Sequence, residues 1–225
     1  MSTDFIQTLL LTSRLAGFTT LILLIVGMPV AYLLAYKRFW FKPLIEALIS
    51  MPMVLPPTVL GYYMLVAYSP QHPFGNMIDN VFNIQLAFSF EGILLASVIF
   101  GLPFMIQPLQ NGMSAIPSSL SDAASSMGKS GIIIFFRVLL PNMIPSIITA
   151  LSLTFAHCIG EFGVVLMVGG NIPGETRVAS IAIFDEVQSL NYEAANNYSL
   201  VLFLISLVIL TIIYSINHMQ KIIFK

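Results

Sequence analysis

The fold of this chain is decided by a short polar segment that runs Asp122-Ala123-Ala124-Ser125-Ser126-Met127-Gly128 and continues, after nine further residues, as Val138-Leu139-Leu140-Pro141. Ser119 stands three residues before Asp122, and this spacing predicts a capping-box-like helix start with negative charge at the positive end of the helix dipole. Gly128 suits the left-handed position that ends a helix. The pattern therefore predicts a helix over 118–128 with one narrow apolar face, made of Leu120, Ala123, Ala124 and Met127.

The composition around this segment belongs to a membrane protein. Of the 225 residues, 57% are apolar and only 8% are charged, and the mean hydropathy is +0.92. These values exclude a soluble domain with a polar surface. A hydrocarbon core about 30 Å thick needs roughly 20 apolar residues in helical form. We therefore expect an all-α membrane protein with a single transmembrane domain and five spans, at about 15–36, 49–68, 93–110, 139–160 and 198–216.

Three prolines, Pro52, Pro56 and Pro57, interrupt the second predicted span. They remove backbone donors and predict a bend or an unwound turn, which must face protein or water rather than lipid. Such breaks often line a transport path, and a simple proline kink is the alternative. The apolar run 162–168 either extends the fourth span or breaks and re-enters the membrane. The amphipathic stretch 178–187 is too short to span.

The distribution of basic residues predicts the orientation. In the five-span arrangement, Arg14 and Arg177 lie on one side, and the other Lys and Arg residues lie on the opposite side: Lys37, Arg38, Lys42, Lys129, Arg137, Lys221 and Lys225. The side with more positive charge is cytoplasmic. The N-terminus is therefore expected outside the cell, with the C-terminus and the 118–128 helix in the cytoplasm.

Ionisable residues inside spans are costly and are usually functional. His157 and Glu161 stand four residues apart, beside Cys158. A structural zinc site needs four ligands and no others converge here, so we expect no metal, and a buried polar contact is favoured for Glu161. The glycines of Gly160-Glu161-Phe162-Gly163 permit close packing or a helix break near a gate.

A nucleotide site on the chain itself is not predicted. Gly128-Lys129-Ser130 is similar to the end of a phosphate-binding P-loop, but Ala123 stands where the motif requires its first glycine. No catalytic constellation is recognisable either. We therefore expect this chain not to be an enzyme and to bind no cofactor.

The spacing of the 122–141 segment resembles the EAA loop of permease subunits of bacterial ABC importers, with Asp122 in place of the usual Glu and Val138 in place of the usual Ile. Three further runs, 55–62, 160–163 and 171–177, resemble marks of molybdate ABC transporter permeases. Sulfate and thiosulfate permeases share the first two of these runs. The third run, Asn171-Ile172-Pro173-Gly174-Glu175-Thr176-Arg177, favours molybdate.

The resemblance implies a type I importer permease in the bacterial inner membrane, with a cytoplasmic coupling helix at 118–128. Two copies would form a homodimer around a central path for an oxyanion. Two cytoplasmic ATPase subunits would bind ATP and Mg, and an external substrate-binding protein would deliver the oxyanion. Nucleic acid is not an expected partner.

The resemblance also assigns residues to roles. Docking to the ATPase and coupling are expected at Ser119, Leu120, Asp122, Ala123, Ala124, Met127, Gly128, Leu140 and Pro141. The path or its gate is expected at Pro56, Pro57, Thr58, Gly160, Glu161, Phe162 and Gly163. Contact with the binding protein is expected at Glu175, Thr176 and Arg177. For the last group, a surface turn with a weak exposed ion pair is the alternative.

Other functions stay open at this point. The substrate is molybdate in the leading hypothesis, with sulfate, thiosulfate or tungstate as neighbours. A secondary transporter that uses His157 and Glu161 as a proton or ion relay would need no ATPase. A membrane scaffold or assembly factor would need no path. Retention or loss of an ATPase partner on purification distinguishes the first hypothesis from the others.

Overall fold

A computed structural model describes residues 3–223 of the chain, and these residues form helices joined by short loops, with no strand among them. Lys225 and the side chain of Lys221, both counted in the orientation prediction, lie outside the described part. The helices are α1 Thr3–Tyr36, α2 Lys42–Val54, α3 Pro57–Tyr68, α4 Pro73–Phe82, α5 Phe90–Ser114, α6 Ser118–Ser126, α7 Gly131–Ile134, α8 Leu140–Asn142, α9 Ile144–Ile159, α10 Gly163–Gly169, α11 Ala179–Gln188 and α12 Tyr192–Ile223, with a π-helix at Phe135–Leu139.

Three helices are individually long and apolar enough to cross a membrane: α1, α5 and α12. Two further crossings are possible if each of two bent helix pairs counts as one span. This agrees with five spans, but the helices start earlier or end later than predicted. The reason is physical: a tilted or partly solvated helix continues past the hydrocarbon core, so hydropathy underestimates its length.

The second span is bent by 112° between α2 and α3. Leu55 and Pro56 have extended backbones, with ψ of 139° and 134°, and Pro57 begins the next helix. The two prolines cannot donate backbone hydrogen bonds, which ends α2. The predicted bend is therefore confirmed. Helix α2 begins at Lys42, seven residues before the predicted start of the span near residue 49.

The fourth span is bent by 70° between Asn142 and Ile144, and a π-helix precedes the bend. Pro141 has no N–H to donate to the carbonyl of Arg137, so the normal helical ladder is interrupted there. Single turns of π-helix occur frequently at functional sites. Our sequence analysis did not predict this feature, although Pro141 was the residue that could have indicated it.

The run 162–168, which the sequence left open, belongs to a separate short helix. Helix α9 ends at Ile159, and α10 starts after a three-residue break. The stretch 178–187 forms the short helix α11. Helix α10 packs against α3 and α5. The break before α3 and the break before α10 therefore both face protein, as unpaired backbone groups in a membrane require.

The core lies where α1, α5, α9 and α10 meet. One buried cluster joins α3, α5 and α10, with Met64, Ile93 and Val164 among its members. A second cluster joins α1, α5 and α9. Helix α12 is nearly unburied along its spanning window and exposes Phe203 and Leu207. Apolar side chains on such a surface suit contact with lipid.

Candidate functional site

A cavity of about 590 Å³ lies beside the break between α9 and α10. Helices α3, α5, α9 and α10 supply its walls, with the lining residues Pro57, Thr58, Phe100, Ala156, His157, Gly160, Glu161, Phe162 and Gly163. The structure thus brings together every predicted path residue except Pro56, which is exposed at the bend before α3. Phe100, Ala156 and His157 were not among the predicted path residues.

Two glycines hold the walls of this cavity in backbone contact. A Cβ atom at Gly61 would lie 2.7 Å from Cβ of Met167 and 3.2 Å from Cα of Val164. A Cβ atom at Gly163 would lie 2.8 Å from Cβ of Pro57. Carbon atoms pack at about 3.5–4.0 Å, so neither position accommodates a larger residue without a shift of the helices. Helices α3 and α10 therefore form one closely packed unit.

Glu161 is 4% exposed, and neither of its carboxylate oxygens has a hydrogen-bond partner of normal geometry among the described residues. The Ser97 hydroxyl is close enough to interact weakly with the carboxyl group. The carbonyl of Glu161 accepts a hydrogen bond of 2.6 Å from the hydroxyl of Ser180. That hydrogen bond is made by the backbone, and the polar contact predicted for the Glu161 side chain stays a prediction.

His157 lies on the last turn of α9, and its ring stacks on Phe104 with a centroid distance of 3.9 Å. Its Nε2 atom is buried and has no hydrogen-bond partner in the described part of the chain. His157 and Glu161 stand four residues apart, a spacing that would place them on one face of a continuous helix, but α9 ends at Ile159 between them. Among residues 3–223 no group of His, Cys, Asp and Glu is arranged to hold a metal ion.

The polar segment forms α6, which is predicted well in extent but not in its cap. Gly128 has φ of 74°, the left-handed conformation expected after a helix end. The helix starts at Ser118 after Pro117, and no side chain caps it. The predicted capping by Ser119 is wrong, because Pro117 takes the N-cap position two residues earlier and Ser119 already lies in the first turn.

The apolar face of α6 is largely free. No residue of α6 is buried, and Met127, just beyond it, is 75% exposed. Leu120 and Ala123 are exposed, whereas Ala124 is half-buried. Ala124 and Met127 border a small cavity of about 180 Å³ between the α6 segment and the π-helix. The rest of this face is available to a partner.

Asp122 lines a different cavity, of about 760 Å³, between α6 and the cytoplasmic ends predicted for α1 and α5. The Tyr36 hydroxyl, also in its wall, donates a hydrogen bond of 3.0 Å to the carbonyl of Met113. Leu140 is half-buried in α8, and Pro141 is exposed beside it. Helix α6 packs against α7 and the π-helix, so it is mechanically connected to the span that ends at Ile159.

The 171–177 loop is built around two side chains. Thr176 is buried; its hydroxyl donates to the carbonyl of Gly169 at 2.7 Å and accepts from the N–H of Ile172 at 2.9 Å. Arg177 donates to Oδ1 of Asn171 at 2.8 Å. Arg177 also pairs with Asp4 at 3.6 Å and with Asp185 at 3.5 Å.

Pro173, Gly174 and Glu175 are exposed, as the surface-turn alternative expects, but the two residues that follow them are tied to the protein. Thr176 is not at the surface, because its hydroxyl is needed to close the turn inside the protein. Arg177 is paired within the chain, to α1 and α11, and only Glu175 of the three predicted residues is fully exposed. The sequence analysis missed Thr12, whose hydroxyl accepts from the N–H of Ala179 at the start of α11. Residues so distant in sequence carry no local signal.

A sequence model of the family described as binding-protein-dependent transport system inner membrane component matches residues 27–223. The chain belongs to this family. The family membership makes the chain a membrane-embedded component of a transport system, in agreement with its apolar helices. The matched range includes the 590 Å³ cavity, α6 and the Arg177 loop, whereas residues 3–26 of α1 precede it.

Several curated relatives of this inner membrane component are transport permeases. The molybdenum transport system permease protein ModB of Azotobacter vinelandii is 44% identical over 205 residues, which cover 91% of each chain. ModB of Escherichia coli K12 is 33% identical over 81% of this chain and 80% of its own. The probable sulfate transport system permease protein cysT of Chlorella vulgaris is 32% identical over 94% of this chain and 79% of its own.

Solved structures show the same fold at lower identity. A chain of the MetNI methionine ABC transporter, in an inward-facing conformation, superposes with a TM-score of 0.74 at 17% identity and covers 97% of this chain and 98% of its own. A chain of a bacterial ABC transporter involved in the import of alginate superposes with a TM-score of 0.78 at 18% identity. The superposition covers 100% of this chain and 82% of the other. The inner membrane component therefore has the type I ABC importer permease fold.

Proposed function

We propose that this protein is the permease subunit that carries molybdate into the cytoplasm, driven by separate ATPase subunits. The observation that supports molybdate best is the 44% identity to the Azotobacter vinelandii ModB over 91% of both chains, against 32% for the Chlorella vulgaris cysT. The cysT similarity favours sulfate as the second candidate substrate. Tungstate is the third, because it is a tetrahedral dianion like molybdate.

The path is assigned to the cavity beside the α9–α10 break. Its lining offers the Thr58 hydroxyl, the imidazole of His157 and glycine backbone, and it includes no Lys or Arg among the described residues. A fixed cationic side chain would trap a dianion, whereas dipoles and hydroxyls let it pass. Glu161 also lines the cavity, but both of its carboxylate oxygens are buried.

The proposed assembly is a homodimer that encloses the path on its two-fold axis. Along α3, Val59, Tyr62, Tyr63 and Val66 are exposed, next to the cavity wall formed by Pro57 and Thr58. An open cavity with an apolar rim suits closure by a second copy rather than by lipid, since lipid would meet the broken backbone at Leu55 and Pro56. An external binding protein would deliver the anion from the side of the Arg177 loop.

The proposed mechanism is alternating access through a mechanical chain of helices. When ATP closes the ATPase dimer, the docked α6 moves with it. Helix α6 contacts α7 and the π-helix, and this segment continues through α8 into α9, which ends at the cavity. A displacement of α6 therefore reaches the break at residues 160–162, where the chain can rotate. Nucleotide shifts the two-state equilibrium only through such differential contacts.

Reconstituted uptake tests the proposal. The purified permease, its ATPase subunits and the cognate binding protein in proteoliposomes should accumulate molybdate on addition of ATP, and sulfate at a lower rate. Uptake of sulfate in preference to molybdate at equal concentration would replace the substrate assignment. Uptake that follows an ion gradient without ATP would instead support the secondary transporter, with His157 and Glu161 as its relay.

A further inference from the structure

The break between α9 and α10 separates two polar side chains that a continuous helix would bring together. Residues four apart, such as His157 and Glu161, are neighbours on a helix surface, with Cβ atoms about 5–6 Å apart. Helix α9 ends at Ile159, so Glu161 lies beyond it. The ion pairs found in the described part of the chain involve other residues, and none joins these two.

Both groups are buried without a hydrogen-bond partner of normal geometry among the described residues. The unpaired atoms are Nε2 of His157 and both carboxylate oxygens of Glu161. The carboxyl group of Glu161 lies close enough to Cys158 and Ser97 to interact with them. Unsatisfied polar groups at such depth in a membrane are costly. Two of them at helical spacing are explained if they meet in another conformation of the protein.

At Gly160 the backbone departs only slightly from helical geometry. Gly160 has φ of −89° and ψ of 1°, and its N–H is already bonded to the carbonyls of Ala156 and His157. A helix requires ψ of about −42°, which a glycine reaches without steric cost. The N–H of Glu161 now bonds the carbonyl of Cys158 at 3.4 Å. In a continued helix it would bond the carbonyl of His157 instead.

We propose that residues 157–161 form a two-position latch of the transport cycle. In one access state α9 is broken as in this structure, and the Ser180 hydroxyl holds the carbonyl of Glu161. In the other access state α9 extends through Glu161, whose carboxyl group hydrogen-bonds to Nε2 of His157. The inference rests on the proposed transport function, because the two positions belong to its two access states.

The latch has a fixed half and a moving half. His157 is fixed, because its ring stacks on Phe104 of α5 at 3.9 Å and also lies 5.0 Å from the ring of Phe100. Glu161 moves with the chain that leads into α10. Since Gly163 is in close contact with Pro57, a shift of α10 displaces the α3 wall of the cavity. Closing the latch therefore changes the shape of the path.

A double-mutant cycle in the complete reconstituted transporter tests the pairing. His157→Phe keeps the stacking and removes Nε2, and Glu161→Met keeps the side-chain length and removes the carboxyl group. Each variant should slow ATP-driven molybdate uptake, and the double variant should be no slower than the slower single, a coupling of about tenfold. In this structure the two side chains are not paired with each other. If they acted only in this conformation, their effects on the uptake rate would be independent, and the double variant would be slowed by the product of the two single effects. That result overturns the latch.

Ser152→Ala provides the matched control for the cycle. Ser152 is buried on α9 and its hydroxyl bonds the carbonyl of Ile148 within the same helix. When Ser152→Ala is combined with Glu161→Met, the two effects on the uptake rate should multiply, and the deviation from that product should stay below about twofold. Glu161→Gln can still hydrogen-bond to His157 and should retain uptake within about threefold of the unmodified protein.

Infrared difference spectra of the unmodified complex give a second test that does not depend on the folding of the Met and Phe variants. Addition of ATP under conditions that trap the closed ATPase dimer should shift a carboxyl stretching band that is absent in Glu161→Gln. No such band overturns the latch. A failure of the unmodified complex to take up any oxyanion overturns the proposed function instead, and the infrared measurement still decides the latch.

Discussion

The contact between α3 and α10 makes a sharp prediction for Gly61→Ala. The new Cβ atom would lie 2.7 Å from Cβ of Met167, whereas carbon atoms pack comfortably at about 3.5–4.0 Å. The second contact, 3.2 Å to Cα of Val164, is with backbone and cannot rotate away. Helices α3 and α10 must therefore separate by about 1 Å, which is the difference between the 2.7 Å contact and the normal packing distance of carbon atoms.

The magnitude follows from two opposing terms. Overpacking of this size costs about 1–3 kcal/mol, and replacing a helical glycine by alanine returns about 0.5–1 kcal/mol. The net destabilisation should be about 0–2.5 kcal/mol, and relative to a glycine-to-alanine change without overpacking it should be about 1–3 kcal/mol. Gly17→Ala is the matched control, because Gly17 is also inside a helix but a Cβ atom there would have no neighbour within 4 Å. Gly17→Ala should be neutral or stabilising.

The assay is thermal unfolding of the two purified variants in the same detergent, followed by uptake in proteoliposomes. Gly61→Ala should unfold at a lower temperature than Gly17→Ala and should slow uptake, because the cavity wall is displaced. Adding Met167→Gly removes the clashing Cβ atom and should recover part of the uptake. If Gly61→Ala unfolds at the same temperature as Gly17→Ala or above it, α3 and α10 are not in the backbone contact described here.

Three further perturbations address the other surfaces. Leu120→Arg on the exposed face of α6 should leave the thermal stability of the isolated permease unchanged and abolish co-purification of the ATPase subunits; retained ATPase would remove α6 as the docking helix. Thr176→Val removes both hydrogen bonds of a buried hydroxyl and should cost about 1–3 kcal/mol, measured by thermal unfolding, with Thr176→Ser recovering most of the loss. Arg177→Ala removes partly exposed ion pairs to Asp4 and Asp185, so stability should fall by less than about 1 kcal/mol. If binding-protein-stimulated ATPase activity also stays unchanged in Arg177→Glu, the loop is not part of that interface.

Local patterns predicted several elements correctly. Apolar length predicted a number of spans that agrees with three long helices and two bent pairs, and the pair Pro56 and Pro57 predicted a bend, which measures 112°, because proline removes backbone donors wherever it stands. Gly128 predicted the end of α6, since its left-handed φ is costly for other residues. The cap at Ser119 was predicted wrongly, because a preceding proline competed for the start of the helix.

The site could be predicted only in part. The glycine-flanked run 160–163 indicated a break, and the structure places it beside Pro57 and Thr58 in one cavity. Their proximity depends on close packing through Gly61 and Met167, which hydropathy does not encode. The pairing of Arg177 with Asp4 joins residues far apart in the chain, and charge patterns do not specify such a partner.

The sequence by itself indicated that this protein lies in a membrane, that its second span bends at Pro56 and Pro57, and that a polar helix ends before Gly128. These properties follow from hydrophobic length, proline and glycine chemistry and charge, which act over a few residues. Only the tertiary structure decided that α9 stops at Ile159, that His157 and Glu161 are held apart, and that Arg177 binds inside its own chain. Those outcomes depend on which helices pack together, because a buried side chain takes its partners from neighbouring helices rather than from neighbouring residues.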